Sequence, residues 1–199
     1  MPTQVKVICF YTANTPYEQE VENLRISCEN HEVDAHIEAK SSAGSWEKNV
    51  ALKPFFILEK LLHFQSPILW IDADAVFLQK PDFSLFMESD LSLRTNQLFV
   101  QDKRFSLCGG TIFINYTRAG VEFVEKWCKR CNEQIERETV PFIDQITLYE
   151  ELQENNNVKL FPMPISYCKI YDIDSFFIND EDVIIEHRQA SRTFKHLIQ

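Results

Sequence analysis

The sequence predicts an α/β fold, in which a mixed and mainly parallel central sheet carries helices on its faces. Three observations predict it. The first half alternates strand and helix patterns in the order β-α-β-α-β, the signature of parallel strands joined by helical crossovers. The strand candidates "VKVICFY", apolar but for Lys6, and "PILWI" are short apolar runs, which suits strands buried on both faces. After Pro81 strands follow one another without an intervening helix, so the sheet is expected to be mixed. The 199 residues suit one domain over 1–199, with a first half to about residue 80 and a second from about 81. Sixteen Phe against four Gly imply a rigid, aromatic-rich core.

Taken in order, Val5 to Tyr11 is the first strand. In "TANTPYEQE", Thr15 can cap a helix with Pro16 at its first position and Glu18 at its third. That helix runs to about Cys28. "VDAHIEAK" alternates as a second strand. From Trp46 to Phe64 the apolar stripe Leu52, Phe55, Phe56, Leu58, Leu61, Leu62 is helical. Pro54 makes this either one kinked helix or two helices meeting near Lys53. "PILWI" is the third strand. "DLSLRT" and "CGGTIFINY" follow as strands, "TRAGVEFVEKWCKRCNEQIER" as an amphipathic helix from about Thr117, and "VPFIDQITLYEELQEN" as another helix. "VKLFPMPISY" and "DVIIEHRQ" close the strand list, and "SRTFKHLIQ" is a short tail.

A net charge of −10 disfavours non-specific binding to nucleic acid or to an anionic membrane. Six scattered Cys, several in apolar runs, read as buried thiols of a reducing compartment, the cytoplasm. "MPTQVKVICFY" lacks a cationic start and a cleavage site, so no secretory leader is expected, and no run is long enough to span a membrane. The sequon-like "NYT" at Asn115 then has no bearing on glycosylation. Cys128 and Cys131 share a helix with no second pair to complete a zinc site, so they read as ordinary helical cysteines.

The chemistry concentrates in "PILWIDADAVFLQKP". Four apolar residues run into Asp72 and Asp74. Residues i and i+2 of a strand share a face, so a strand persisting to Asp74 would aim both carboxylates one way. Two close carboxylates repel, and a hard divalent cation relieves that repulsion while leaving positions for a diphosphate. Parallel sheets also bind ligands beyond the carboxyl ends of their strands. The alternative is that one Asp caps a turn and the other is solvated.

"ILWIDADAVFLQKP" resembles the D-x-D segment of GT-A-type glycosyltransferases, in the nucleotide-diphospho-sugar transferase superfamily. The resemblance implies a GT-A-like, Rossmann-type domain that uses a nucleotide-sugar donor, UDP by expectation, with Mn²⁺ or Mg²⁺. It implies that Asp74 holds the metal directly and that Asp72 reaches ribose and metal, with Ala73 between them in the donor site. His187, after the apolar run Val183 to Ile185, is the implied third ligand. Arg188 and Arg192 would neutralise the diphosphate, unless they are solvated tail charges; Lys195 is a weaker candidate.

The same resemblance places Tyr11 and Thr12 against the nucleoside, with Asn14 nearby; the alternative is that Thr12 and Asn14 are turn residues. If "WEKNVALK" is one helix, Trp46, Asn49 and Lys53 share a face that would hold the diphosphate or the sugar; the alternative for Asn49 is ordinary surface exposure. Gly109 and Gly110 would line the sugar and acceptor site through unusual backbone angles or close approach, or form a plain tight turn. Asp144 and Gln145 resemble the pair that meets the donor sugar. Asp144 would be a general base in an inverting enzyme, and the pair would stabilise an oxocarbenium-like state in a retaining one. The acceptor would be a carbohydrate, protein or lipid hydroxyl, recognised by short loops, a partner or an oligomer.

One rival enzyme fits the tripeptide. A haloacid dehalogenase-type phosphohydrolase would use Asp72 as nucleophile and Asp74 as acid/base, with Asp180 and Asp182 as its late acidic pair. Its motif belongs on a first strand, however, and here a βαβα unit precedes it. A catalytically inactive relative that only binds nucleotide or partner is the other alternative.

Overall fold

The computed structural model describes residues 4–95, 102–136, 143–155 and 157–197. Strand β1 (Lys6–Thr12), helix α1 (Tyr17–Asn30), β2 (Ala35–Lys40), the helix pair α2 (Trp46–Ala51) and α3 (Lys53–Phe64), and β3 (Ile68–Ile71) form the expected β-α-β-α-β lead-in. Then come β4 (Ala75–Phe77), β5 (Leu91–Thr95), β6 (Leu107–Ile114), α4 (Arg118–Glu136), α5 (Ile143–Glu154), β7 (Leu160–Pro162), β8 (Lys169–Ile170), β9 (Ile185–His187) and α6 (Ser191–Phe194).

Six strands build one sheet in the order β2-β1-β3-β6-β5-β7. β1 pairs parallel with β2 and β3, and β5 with β7, while β6 runs antiparallel to β3 and β5. The sheet is mixed and mainly parallel, as expected. Alternation along β1 and β3 divides the core between its faces. Ile8, Phe10, Ile68 and Trp70 pack with α3, α4 and α5 through Phe56, Ile57, Phe123, Trp127 and Leu148. Val7, Cys9, Leu69 and Ile71 point the other way, toward Val21 and Leu24 of α1. Full burial of such a side chain contributes roughly 1.5–3 kcal/mol.

One open alternative is decided in favour of two helices, which puts Trp46 and Asn49 on α2 and Lys53 on α3, and several local expectations need correction. The Trp46–Phe64 stretch is two helices meeting at Leu52, with Pro54 in the first turn of α3, where its missing N–H costs little. Helix α1 starts at Tyr17, and the capping pattern is displaced: the Tyr17 N–H reaches Thr15 Oγ1 at 3.3 Å, while Glu18 accepts from Asn14 N at 2.8 Å. "VKLFPMPISY" yields only β7 and a 3-10 turn at Ile165–Tyr167, because Pro162 and Pro164 cannot donate to a ladder. Strand β3 ends at Ile71 and does not persist to Asp74; the two aspartates lie in a turn.

A second, three-stranded sheet, β4-β9-β8, is absent from the sequence reading. β4 and β9 are antiparallel, with Ala75 opposite His187. This pairing brings the late histidine beside the D-x-D turn. All six cysteines are free and buried. Asn115 spends its amide on Met87 O and Ser89 O, at 2.9 and 3.0 Å. Among the described residues, no helix is long and apolar enough to cross a membrane.

Candidate active site

The site begins where β3 stops. The Asp72 N–H donates to Gly110 O at 2.9 Å, the last rung towards β6. The Ala75 N–H then donates back to Asp72 O at 3.1 Å and closes the turn. The carboxylates converge through this reversal and not through strand alternation. Asp74 Oδ2 accepts the Ala190 N–H at 2.8 Å, and Asp74 O accepts the Arg188 N–H at 3.1 Å. Asp74 is therefore fixed by the segment that follows β9. Its Oδ1 lies 3.6 Å from His187 Nδ1. One ligand atom from each of Asp72, Asp74 and His187 falls within 4.8 Å of the others.

Side chains behind these three hold them in place. Thr111 Oγ1, fully buried on β6, lies 2.7 Å from His187 Nε2. A ring that donates Nε2–H to Thr111 presents the Nδ1 lone pair towards Asp74, the usual way a ligating histidine is oriented. Trp70 donates its indole N–H to Asp72 Oδ1 at 2.9 Å. Gly110 explains itself by contact: a Cβ there would stand 2.8 Å from His187 Cε1. Neither Gly109 nor Gly110 has a positive φ, so no unusual backbone angle is involved and there is no tight turn; both belong to β6.

A buried ammonium ties the site together. Lys53 Nζ is 2.7 Å from Asp144 Oδ2, 3.2 Å from Asp72 Oδ1 and 3.1 Å from Gly109 O, and it lies 5.5 Å from the Trp70 ring centre. Burial works against the charge on Lys53, but Asp144 and Asp72 outweigh it and raise its pKa. Burial raises Asp72 too, opposed by Lys53 and reinforced by Asp74. At Asp74 burial is overcome by His187 and the Ala190 N–H, which lower it. Burial disfavours a charged His187 ring, yet Cys168 and Asp74 raise its pKa to about 10.

These groups open into a cavity of about 330 Å³, within the size range of small-molecule sites. Tyr11, Thr12, Trp46, Asn49, Lys53, Asp72, Ala73, Asp74, Gly109, Gly110, Asp144, Gln145 and His187 all line it. Two of them also hold local structure. Asn49 Oδ1 accepts from Ala43 N at 2.6 Å, and Gln145 Nε2 donates to Leu107 O at 2.5 Å. The basic candidates do not gather here. Arg188 and Arg192 are exposed and absent from the lining, and Arg192 pairs with Asp172. Lys195 and Asn14 are exposed as well and do not line this cavity. Gln189 and Ser191 face the cavity in their place. Tyr17, Trp70 and Thr111 were not anticipated. Trp70 carried a readable signal, two residues before Asp72 on the same side of β3.

The donor set fits a divalent cation. Two carboxylates and an imidazole converge, and the missing Gly110 side chain leaves the ring its seat.

The sequence profile of the nucleotide-diphospho-sugar transferases matches residues 15–190. The chain belongs to that family. It is a glycosyltransferase, and solved structures agree on the fold. A glycosyltransferase involved in glycosylation of the major capsid of PBCV-1 superposes with a TM-score of 0.70 at 15% identity, covering 94% of this chain and 93% of that one. The glycosyltransferase GlyE of Streptococcus pneumoniae TIGR4 gives 0.62 at 17% identity over 93% of this transferase, which spans 54% of that chain. Its apo form gives 0.60. No curated protein matches the sequence. The phosphohydrolase alternative loses its footing: Asp180 and Asp182 are exposed, do not line the cavity, and Asp180 pairs with Lys169 at 2.7 Å.

Proposed function

We propose that this transferase moves a hexose from a nucleotide-diphosphate sugar, with UDP as the nucleotide, to a hydroxyl acceptor. Asp72, Asp74 and His187 would hold Mn²⁺ or Mg²⁺. The observation that carries the reading is their convergence on the wall of one cavity in a chain of this family. When bound, such a cation offsets the charge that develops on the diphosphate as the sugar C–O bond breaks.

The chain's own residues do the rest. Tyr11 and Thr12, at the end of β1, flank the nucleoside, so the first 80 residues form the nucleotide half. Asp74 is held by two backbone N–H donors around it and stays charged for metal. Lys53 ties Asp72 and Asp144 together beside the sugar pocket. Asp144 and Gln145 start α5 and bracket the reacting carbon, while Trp46, Asn49, Ala73 and the side-chain-free Gly109 shape the sugar subsite. Arg188 and Arg192 point outward in this structure, which leaves diphosphate neutralisation to the cation. Six free, buried thiols support a reducing, cytoplasmic setting.

A screen of UDP-, GDP- and ADP-hexoses for hydrolysis, with Mn²⁺ or with EDTA, tests the proposal. Release of nucleoside diphosphate from a UDP-hexose only with the cation is expected. Cation-dependent stabilisation by nucleoside diphosphate without turnover of any donor would replace it with the inactive, nucleotide-binding relative.

A further inference from the structure

Three of the five exposed aromatic side chains among the described residues, and the three most exposed, lie in one short loop. Between β8 and the turn before β9, Tyr171 is 55% exposed, Ile173 47%, Phe176 92% and Phe177 57%. Exposed apolar groups at this density mark a contact surface. The loop is also held in one shape. The Arg94 guanidinium grips Asp174, with Nη2 to Oδ1 at 2.8 Å, and its Nη1 reaches Cys168 O at 2.7 Å. Asp174 Oδ2 accepts the Ile170 N–H at 2.6 Å, and Asp174 O accepts the Phe177 N–H at 2.8 Å. A buried ion pair adds little net stability, but it does select a conformation.

The loop borders the cavity on two sides. Cys168 and Ile170, just before it, line the cavity, and the Tyr171 N–H donates to His187 O at 3.1 Å. Asp172 pairs with Arg192 of α6, whose Ser191 also lines the cavity. The result is a fixed aromatic loop whose flanks adjoin cavity-lining residues, with Tyr171 bonded to the backbone of the candidate metal ligand His187.

Charge narrows the occupant. Tyr171 to Asp182, "YDIDSFFINDED", carries five carboxylates and no Lys or Arg; Arg192, Arg94 and Lys169 pair with Asp172, Asp174 and Asp180, and the excess rests on Glu181 and Asp182 in a chain of net charge −10. An anionic membrane surface would be repelled. A neutral pyranose suits the loop: its C–H face is apolar and slightly positive, matching the negative face of an aromatic ring, and its hydroxyls can donate to carboxylates. We propose that the Tyr171–Phe177 loop is an acceptor platform that stacks the rings of a neutral oligosaccharide and delivers its terminal hydroxyl to the cavity. This rests on the transferase reading of that cavity.

Saturation-transfer NMR with neutral hexasaccharides (α- and β-linked glucose, β-linked galactose, β-linked N-acetylglucosamine) tests it without a donor. Binding of at least one member, weakened about tenfold by Tyr171→Ala/Phe176→Ala and retained by Phe176→Trp, is expected. In transfer assays with that member the loss should lie in KM for the oligosaccharide and not in KM for the nucleotide sugar. Both aromatics are more than half exposed, so the fold should survive, and an unchanged melting temperature verifies it. No binding by any hexasaccharide, or equal binding by the double variant, overturns the platform. So does co-sedimentation of the chain with phosphatidylglycerol vesicles that the same substitutions abolish. Hexasaccharide binding that persists while no nucleotide sugar is hydrolysed strikes the donor reading and spares the platform.

Discussion

Replacing Gly110 with Ala asks whether His187 is seated by the absence of one methyl group. The added Cβ would stand 2.8 Å from Cε1, 3.0 Å from Nδ1 and 3.2 Å from Nε2 of that ring. Carbon atoms rest at about 3.5–4.0 Å, so the ring must withdraw by about 0.7 Å or more. Thr111 holds Nε2 at 2.7 Å and Asp74 faces Nδ1, so it cannot withdraw without breaking one relation. Metal–ligand distances tolerate only about 0.2 Å. Overpacking should cost about 1–3 kcal/mol of stability. Disturbing the ligand's support should weaken Mn²⁺ binding by about 10–100-fold. Calorimetric titration of Mn²⁺ reads the affinity and a thermal melt reads the stability. Gly109→Ala is the neighbouring comparison: its Cβ would meet only Lys53 Nζ at 3.6 Å and Asp144 Oδ2 at 4.0 Å, both ordinary contacts. Mn²⁺ affinity within twofold of the parent in a folded Gly110→Ala chain would refute this account of the glycine.

Lys53→Met leaves Asp144 and Asp72 facing each other without their ammonium, and should cost about 3–5 kcal/mol in urea unfolding. Adding Asp144→Leu should restore a large part of that, and a strictly additive double variant would deny the pairing. Thr111→Val keeps the shape but removes the oxygen at His187 Nε2, so Mn²⁺ affinity should fall about tenfold with little change in melting temperature. Protons and metal compete for His187, whose pKa without metal is raised to about 10. Mn²⁺ affinity should therefore climb from pH 6 to 9 and level off near 10. A raised pKa stabilises the metal-free fold fully below the unfolded value of about 6.5, and that contribution is lost as pH rises through 10. The metal-free melting temperature should accordingly decline between pH 7 and 10, and a flat profile in both measurements would contradict the assignment.

Much of this site was readable because its residues follow apolar runs. The apolar runs of β1 and β3 announce buried strands, and Asp72 and Asp74 stand where one of them ends. His187 follows an apolar run in the same way. The pairing that joins them was not readable, since β4 and β9 have three residues each, too few to display a period. Lys53 was singled out for a polar face near the diphosphate, but its partner Asp144 lies on a distant helix, and nothing local to either residue announces an ion pair. Arg188 and Arg192 misled through proximity to His187. His187 turns inward and Arg188 outward by strand alternation, and the left-handed Gln189, at φ 59°, then redirects the chain so that Gln189 and Ser191 face the cavity. The Gly109–Gly110 pair was read for a ligand's approach, whereas Gly110 accommodates a side chain of the protein itself. The family match covers both halves, which is why the order of elements was more legible than the side-chain partners within it.

The central claim is that Asp72, Asp74 and His187 hold a divalent cation on which a nucleoside diphosphate depends. Calorimetric titration of UDP into the chain, with Mn²⁺ and then with EDTA, tests it most directly. One UDP per chain with Mn²⁺, and none with EDTA or in Asp74→Ala, is the predicted result. Equal UDP binding with and without the cation would contradict it.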